Sequence, residues 1–231
     1  MIKSLSDNSS DRVVGMIVGP SGVGKTFLAS TLEGRTLIAS AESGLLCLKK
    51  LPAEAKERID VFEIKNIEDY KQFFITCLKP ETKKKYQNLF IDSLTEIGER
   101  ILTELKDDPK YLEEKMMLKL YGKFNDDFAK YVKALRDMSP YNVWFTCLNK
   151  YEKDGMSLKE EFSFPGAKTK DSIKAWLDIV LKYEIFEKED QKFRMLISDY
   201  AINPLSKDRS GQLDQYEPAH LGNIMKKIKG E

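Results

Sequence analysis

The chain has little with which to build a metal centre, a disulfide framework or a membrane anchor. Of its 231 residues, three are cysteine and one is histidine. Cys47, Cys77 and Cys147 are an odd number, show no C-x-x-C spacing and each lie in a largely apolar segment, which predicts reduced core thiols. His220 stands alone without a partner motif and receives no role. No stretch approaches the roughly 18 consecutive apolar residues of a membrane span. The N-terminal MIKSLSDNSSDR lacks the apolar run of a signal peptide, so a soluble, cytoplasmic protein with no membrane partner is expected. Net charge is lacking too: 38 Lys+Arg stand against 37 Asp+Glu, leaving a formal +1. Such a balance provides no global field for nucleic acid, and any contact of that kind must come from a local patch.

What is present is a core-forming chain. With 42% hydrophobic residues and no internal repeat or low-complexity tract, it has the material for one α/β domain. The expected organisation is a polar tail over 1–12, a domain over 13–215 and a basic tail or helix over 216–231. Short β-rich runs at 13–18, 36–39, 61–64, 89–91 and 143–148 alternate with helical periodicity, the pattern of βα units around a mainly parallel sheet flanked by helices. Helices are expected at 24–32, through Ile67, Tyr70, Phe73 and Cys77, and through Tyr121, Phe124, Phe128 and Val132. Ser93 with Glu96 three residues on is a capping box for a further helix. Alternation around 179–185 and 193–197, with a charged turn at 188–190, predicts a C-terminal antiparallel hairpin. The stretch 150–172 has no clear period and reads as a long loop.

One motif is complete. Gly19, Pro20, Ser21, Gly22, Val23, Gly24, Lys25 and Thr26 match G-x-x-x-x-G-K-[ST] between an apolar strand and a helix start, with Phe27 next. Glycines let backbone N–H groups converge on a phosphate, Lys25 is placed to reach the β and γ phosphates, and the Thr26 hydroxyl to ligate Mg²⁺. The second metal group is expected at the end of an apolar strand, and Leu89-Phe90-Ile91-Asp92 offers Asp92. ATP and Mg²⁺ are the expected ligands.

Other features separate classes of such sites. Asp92 is followed by Ser93 rather than by a second acid, whereas the strand Ile38-Ala39-Ser40-Ala41 leads into Glu42. This arrangement resembles the RecA family, DnaB and KaiC included, and the resemblance implies that Glu42 is the catalytic base. Lys207-Asp208-Arg209-Ser210-Gly211 is similar to the K-x-R-x-G segment of the same group. There the Lys and Arg enter a neighbouring subunit's ATP site, so Lys207 and Arg209 are implied as catalytic groups in trans within a homo-oligomer, ring or filament. The order GPSGVGKT, AESG, LFIDSLT, NVWFTC, KDRSG is similar to a phage-encoded family of compact RecA-core ATPases acting in single-strand annealing and recombination. This implies a RecA-like P-loop NTPase fold, action on single-stranded DNA, a single-strand binding protein as partner and residence in the host cytoplasm. Leu148 stands where relatives often carry a polar residue, leaving Thr146 or Asn149 as candidate sensors of the γ-phosphate. Loop 150–172, with Lys150, Lys153, Lys159, Lys168 and Lys170 among Phe162 and Phe164, is the candidate DNA surface, beside the basic clusters 79–85 and 226–229. Two readings compete. Asn149-Lys150-Tyr151-Glu152 resembles the guanine-recognition N-K-x-D of GTPases with Glu in place of Asp, and an ATP-dependent assembly module without DNA would use the same phosphate motif.

Overall fold

In the computed structural model, residues 12–42, 44–155 and 157–231 are described. Most of the polar N-terminal tail lies outside them. The strands are β1 (Val14–Val18), β2 (Thr36–Ser40), β3 (Ile59–Glu63), β4 (Asn88–Asp92), β5 (Asn142–Cys147), β6 (Asn149–Asp154), β7 (Ser157–Phe162), β8 (Ile179–Lys188), β9 (Gln191–Ile197), β10 (Lys207–Asp208) and β11 (Tyr216–Pro218). The α-helices are α1 (Ala53–Glu57), α2 (Ile67–Leu78), α3 (Pro80–Lys85), α4 (Leu94–Asp107), α5 (Met117–Arg136), α6 (Ala167–Trp176) and α7 (Leu221–Lys229). No helix among the described residues is long and apolar enough to cross a membrane.

One sheet runs in the order β11-β9-β8-β1-β5-β4-β2-β3, with β10 also on β8. The five contacts from β8 through β3 are parallel, and β8–β9, β9–β11 and β8–β10 are antiparallel. This is the expected mainly parallel sheet with an antiparallel C-terminal hairpin, whose turn takes Glu189 and Asp190 through positive φ. Successive side chains of each strand feed opposite layers. Val14, Met16, Val143 and Phe145 join the core under α2, α4 and α5, whereas Ile17 and Trp144 join the one that Leu28 and the α7 residues Leu221, Ile224 and Met225 fill.

Helix starts follow their caps. Ser93 Oγ accepts from Glu96 N at 3.3 Å at the head of α4, and His220 Nδ1 accepts from Asn223 N at 3.2 Å at the head of α7, which gives the lone histidine a structural task. Three expectations are corrected. The segment after the glycine-rich turn is a short 3₁₀ helix, Thr26–Thr31, rather than an α-helix over 24–32. The stretch 150–172 is no loop: β6 and β7 form an antiparallel hairpin of their own, and α6 follows. Lys150, Glu152, Lys159 and Glu161 share one face, and on the other Tyr151, Leu158 and Phe162 are interrupted by Asn149, Lys153 and Glu160, so no regular hydrophobic period announces the strands. Finally, Cys77 and Cys147 are buried but Cys47 is exposed, on a 3₁₀ turn.

Candidate functional site

Parallel pairing sets the carboxyl ends of β1, β5, β4 and β2 at one edge of the sheet, with Val18 opposite Cys147 and Ser40 opposite Asp92. The loop 19–25 leaves β1 at that edge. Gly22 and Gly24 have φ of 78° and 111°, a region that L side chains rarely adopt. At Gly19 the constraint is space: an added Cβ would stand 2.7 Å from the Tyr183 carbonyl oxygen on β8. Lys25 is buried, its Nζ donating to the Gly19 and Pro20 carbonyls at 2.9 Å each. Burial lowers its pKa, against the opposing pull of Glu42 and Asp92. Phe27 is exposed just beyond Thr26.

Asp92 is 1% exposed and central. Thr26 Oγ1 donates to its Oδ2 at 2.7 Å and Thr146 Oγ1 to its Oδ1 at 2.5 Å. Burial raises the carboxyl pKa above its ordinary range, and these two hydroxyls and Lys25 pull it back down. Thr146, one of the two candidate γ-phosphate sensors, instead spends its hydroxyl on Asp92. Its strand β5 lies between β1 and β4, so its side chain is beside Asp92. The other candidate, Asn149, donates from Nδ2 to Glu160 at 2.5 Å.

Glu42 reaches the same edge. The Ala41 N–H donates to the Asp92 carbonyl at 2.7 Å, Ser40 Oγ donates to the Glu42 carbonyl at 2.6 Å, and Ser93 Oγ donates to Glu42 Oε1 at 2.5 Å. Lys25, Thr26, Asp92 and Glu42 are therefore gathered from three strand ends. The oxygen set suits Mg²⁺: one hydroxyl that gives its proton to a carboxylate and keeps its lone pairs, one carboxylate, and room for water or phosphate oxygens. Among the described residues no cluster of three or more His, Cys, Asp or Glu could hold a metal alone, so the ion needs oxygens from elsewhere.

Lys207 and Arg209 are not gathered there. Lys207 lies opposite Val180 near the start of β8, roughly 10 Å along the sheet from the loop edge at about 3.3 Å per residue. Its Nζ donates to the Lys174 and Leu177 carbonyls at 2.6 Å each, at the end of α6. Arg209 pairs with Asp178 at 2.9 Å. The aromatics expected on a DNA surface are also elsewhere: Phe162 and Phe164 are buried, stacking on each other and, through Phe164, on Phe128. Three of the nearby cations are paired, Lys170 with Glu161 at 3.3 Å, Lys159 with Glu161 at 3.1 Å and Lys150 with Glu152.

Several residues around the loop went unread in the sequence. Arg194 on β9 donates from Nε to the Val23 carbonyl at 3.3 Å. Arg100 on α4 donates from Nη2 to the Ala41 carbonyl at 2.9 Å, holding the approach to Glu42, and pairs with Glu96 one turn earlier. The i,i+4 spacing of that pair was the available signal. Lys182 on β8 is buried and paired with Glu160 on β7, whose side chain is largely covered. No local pattern joins those two positions.

The family comparison agrees with the geometry. A family model described as an AAA domain matches residues 11–210. No curated protein matches the chain. Among solved structures, a KaiC-like protein from the hyperthermophilic archaeon Pyrococcus horikoshii OT3 is similar at 13% identity and a TM-score of 0.41, over 80% of this chain and 77% of that one. With the match spanning most of its length and the glycine-rich loop, Thr26, Asp92 and Glu42 at one sheet edge, the chain belongs to the AAA domain family and is a P-loop nucleoside triphosphatase.

Proposed function

We propose that this protein hydrolyses ATP with Mg²⁺ and does so as an oligomer, its site completed by the next copy. The observation that carries the reading is the Thr26–Asp92 contact of 2.7 Å with the Glu42 carboxylate held beside it by Ser93. Loop amides and Lys25 bind the β and γ phosphates, and Thr26 and Asp92 hold the ion. Glu42 accepts the proton of the attacking water. Bound Mg²⁺ neutralises charge on the phosphoryl oxygens. Lys207 and Arg209, remote from their own loop, are available to a neighbour's γ-phosphate, as the resemblance to the K-x-R-x-G motors implies. ATP is favoured over GTP because the two residues that would answer a guanine-recognition motif are engaged, Asn149 by Glu160 and Glu152 by Lys150.

Turnover of the parent, of Arg209→Ala and of Glu42→Ala, separately and mixed, tests the reading. Each variant alone should bind ATP and lose turnover, and the mixture should recover part of it; a mixture as inactive as its components refutes sites shared between copies. Lys25→Ala should give no binding heat in calorimetry. Action on single-stranded DNA alongside a single-strand binding protein, as in the phage annealing family, is the finer part of the proposal. DNA stimulation that fades with salt supports it. Turnover indifferent to DNA supports an ATP-driven assembly module instead, a reading that the burial of Phe162 and Phe164 favours.

A further inference from the structure

The most buried lysine among the described residues has no part in the reaction above. Lys182 is 1% exposed and stands opposite Val18, the residue that precedes the phosphate loop. With Pro20, Ser21, Gly22 and Val23 it lines a cavity of about 440 Å³ on the outer side of that loop. Its ammonium pairs with Glu160, and Glu184 is 3.6 Å away.

Glu160 is a hub. Besides Lys182 it accepts from Asn149 at 2.5 Å and from Asn203 at 2.7 Å. The Lys182 and Asn203 contacts fasten the β6–β7 hairpin to β8 and to the segment between β9 and β10, while the Asn149 contact ties β6 to β7. Within the hairpin, Asn149 Oδ1 is buried without a hydrogen-bond partner, and an unsatisfied buried acceptor calls for an explanation. Buried ion pairs seldom add net stability, since desolvation offsets their attraction; their best-attested use is in specificity and switching. Here the pair borders residues 20–23 of the phosphate-loop motif, along which Lys182 lines the cavity. A terminal phosphoryl group there is a second anion competing for the same ammonium, which has three N–H donors to share.

We propose that Lys182 is a phosphate-binding residue of this site, held by Glu160 and drawn to the terminal phosphoryl group of a bound nucleoside triphosphate, so that occupancy loosens the β6–β7 hairpin. This rests on the reading of residues 19–26 as a triphosphate site. A diphosphate, one group shorter, leaves the Lys182–Glu160 pair intact and the hairpin fastened.

Calorimetry with Mg²⁺ and either a non-hydrolysable ATP analogue or ADP, on the parent, Glu160→Gln and Lys182→Met, tests it. Glu160→Gln should tighten the triphosphate about fivefold and barely change the diphosphate; Lys182→Met should weaken the triphosphate selectively by a similar factor, and Lys182→Arg should restore it. If both variants lower the melting temperature but keep the parent's ratio of triphosphate to diphosphate affinity, the pair is structural and the proposal is overturned. Hydrogen exchange on the parent guards against variants that fail to fold. Amides of 149–154 and 157–162 should exchange faster with the triphosphate analogue than with ADP, and equal rates also overturn the proposal. A parent that binds neither nucleotide removes the triphosphate site itself, an outcome distinct from normal binding with an unchanged ratio.

Discussion

Replacing Thr146 by Val is an isosteric change that removes one hydroxyl from a fully buried place. That hydroxyl donates to Asp92 Oδ1 at 2.5 Å, and the two residues are 0% and 1% exposed, so water cannot take over the contact. A hydrogen bond to a charged group contributes about 1.5–3 kcal/mol, and the abandoned carboxylate oxygen stays buried. Unfolding entropy of about 2 cal/mol/K per residue over 231 residues converts this loss into a fall of roughly 3–6 °C in melting temperature. Function should shift with stability. Thr146 is one of the groups that hold the Asp92 pKa down against burial, so its loss raises that pKa further. The ion needs the ionised carboxylate, and the pH below which Mg²⁺-dependent nucleotide binding fails should therefore move upward. Thermal melts with and without Mg²⁺ and an ATP analogue, across pH, read both effects. A double-mutant cycle isolates the cause: in an Asp92→Asn background the same change should cost under about 1 kcal/mol, as for a neutral pair. A melting temperature within about 1 °C of the parent, or an equal loss in both backgrounds, would refute the argument that this hydroxyl serves the carboxylate.

Asp92→Asn should abolish the stabilisation by Mg²⁺ and nucleotide while improving the free protein relative to the parent as pH rises. Between the ordinary carboxyl value of 3.8 and the raised folded value, the folded chain holds a proton that the unfolded chain has lost, so the parent loses stability across that window and the amide does not. A melting-temperature difference that stays flat with pH would contradict it. Phe164→Ala should cost about 3–5 kcal/mol, as a truncated core ring does, and leave any DNA affinity of the folded fraction unchanged; denaturant unfolding and a DNA titration read the two, and the reverse pattern would return Phe164 to a stacking role.

The phosphate loop was legible because its requirements are contiguous: glycines where φ is positive, then Lys25 and Thr26. The strand ending in Asp92 and the cap at Ser93 are local in the same way, as is the hairpin of β8 and β9, whose turn is marked by charge. The β6–β7 hairpin was not, since Lys and Glu fill one of its faces and interrupt Tyr151, Leu158 and Phe162 on the other, hiding the strand period. Nor was the fate of Phe162, because a ring among lysines looks alike whether it faces solvent or Phe164.

The amino-acid order alone determined what depends on neighbours in the chain: the dihedral freedom of residues 19–24, the alternation that feeds two core layers, and the caps. Folding decided what depends on which strands lie side by side. Because β5 falls between β1 and β4, Thr146 serves Asp92 instead of facing the loop; because β8 flanks β1, Lys182 stands at its floor, tied to Glu160 from a hairpin 22 positions away; and because β10 docks low on β8, Lys207 and Arg209 cap α6 far from their own phosphate loop. Those contacts join residues distant in sequence through sheet register, which no local pattern encodes.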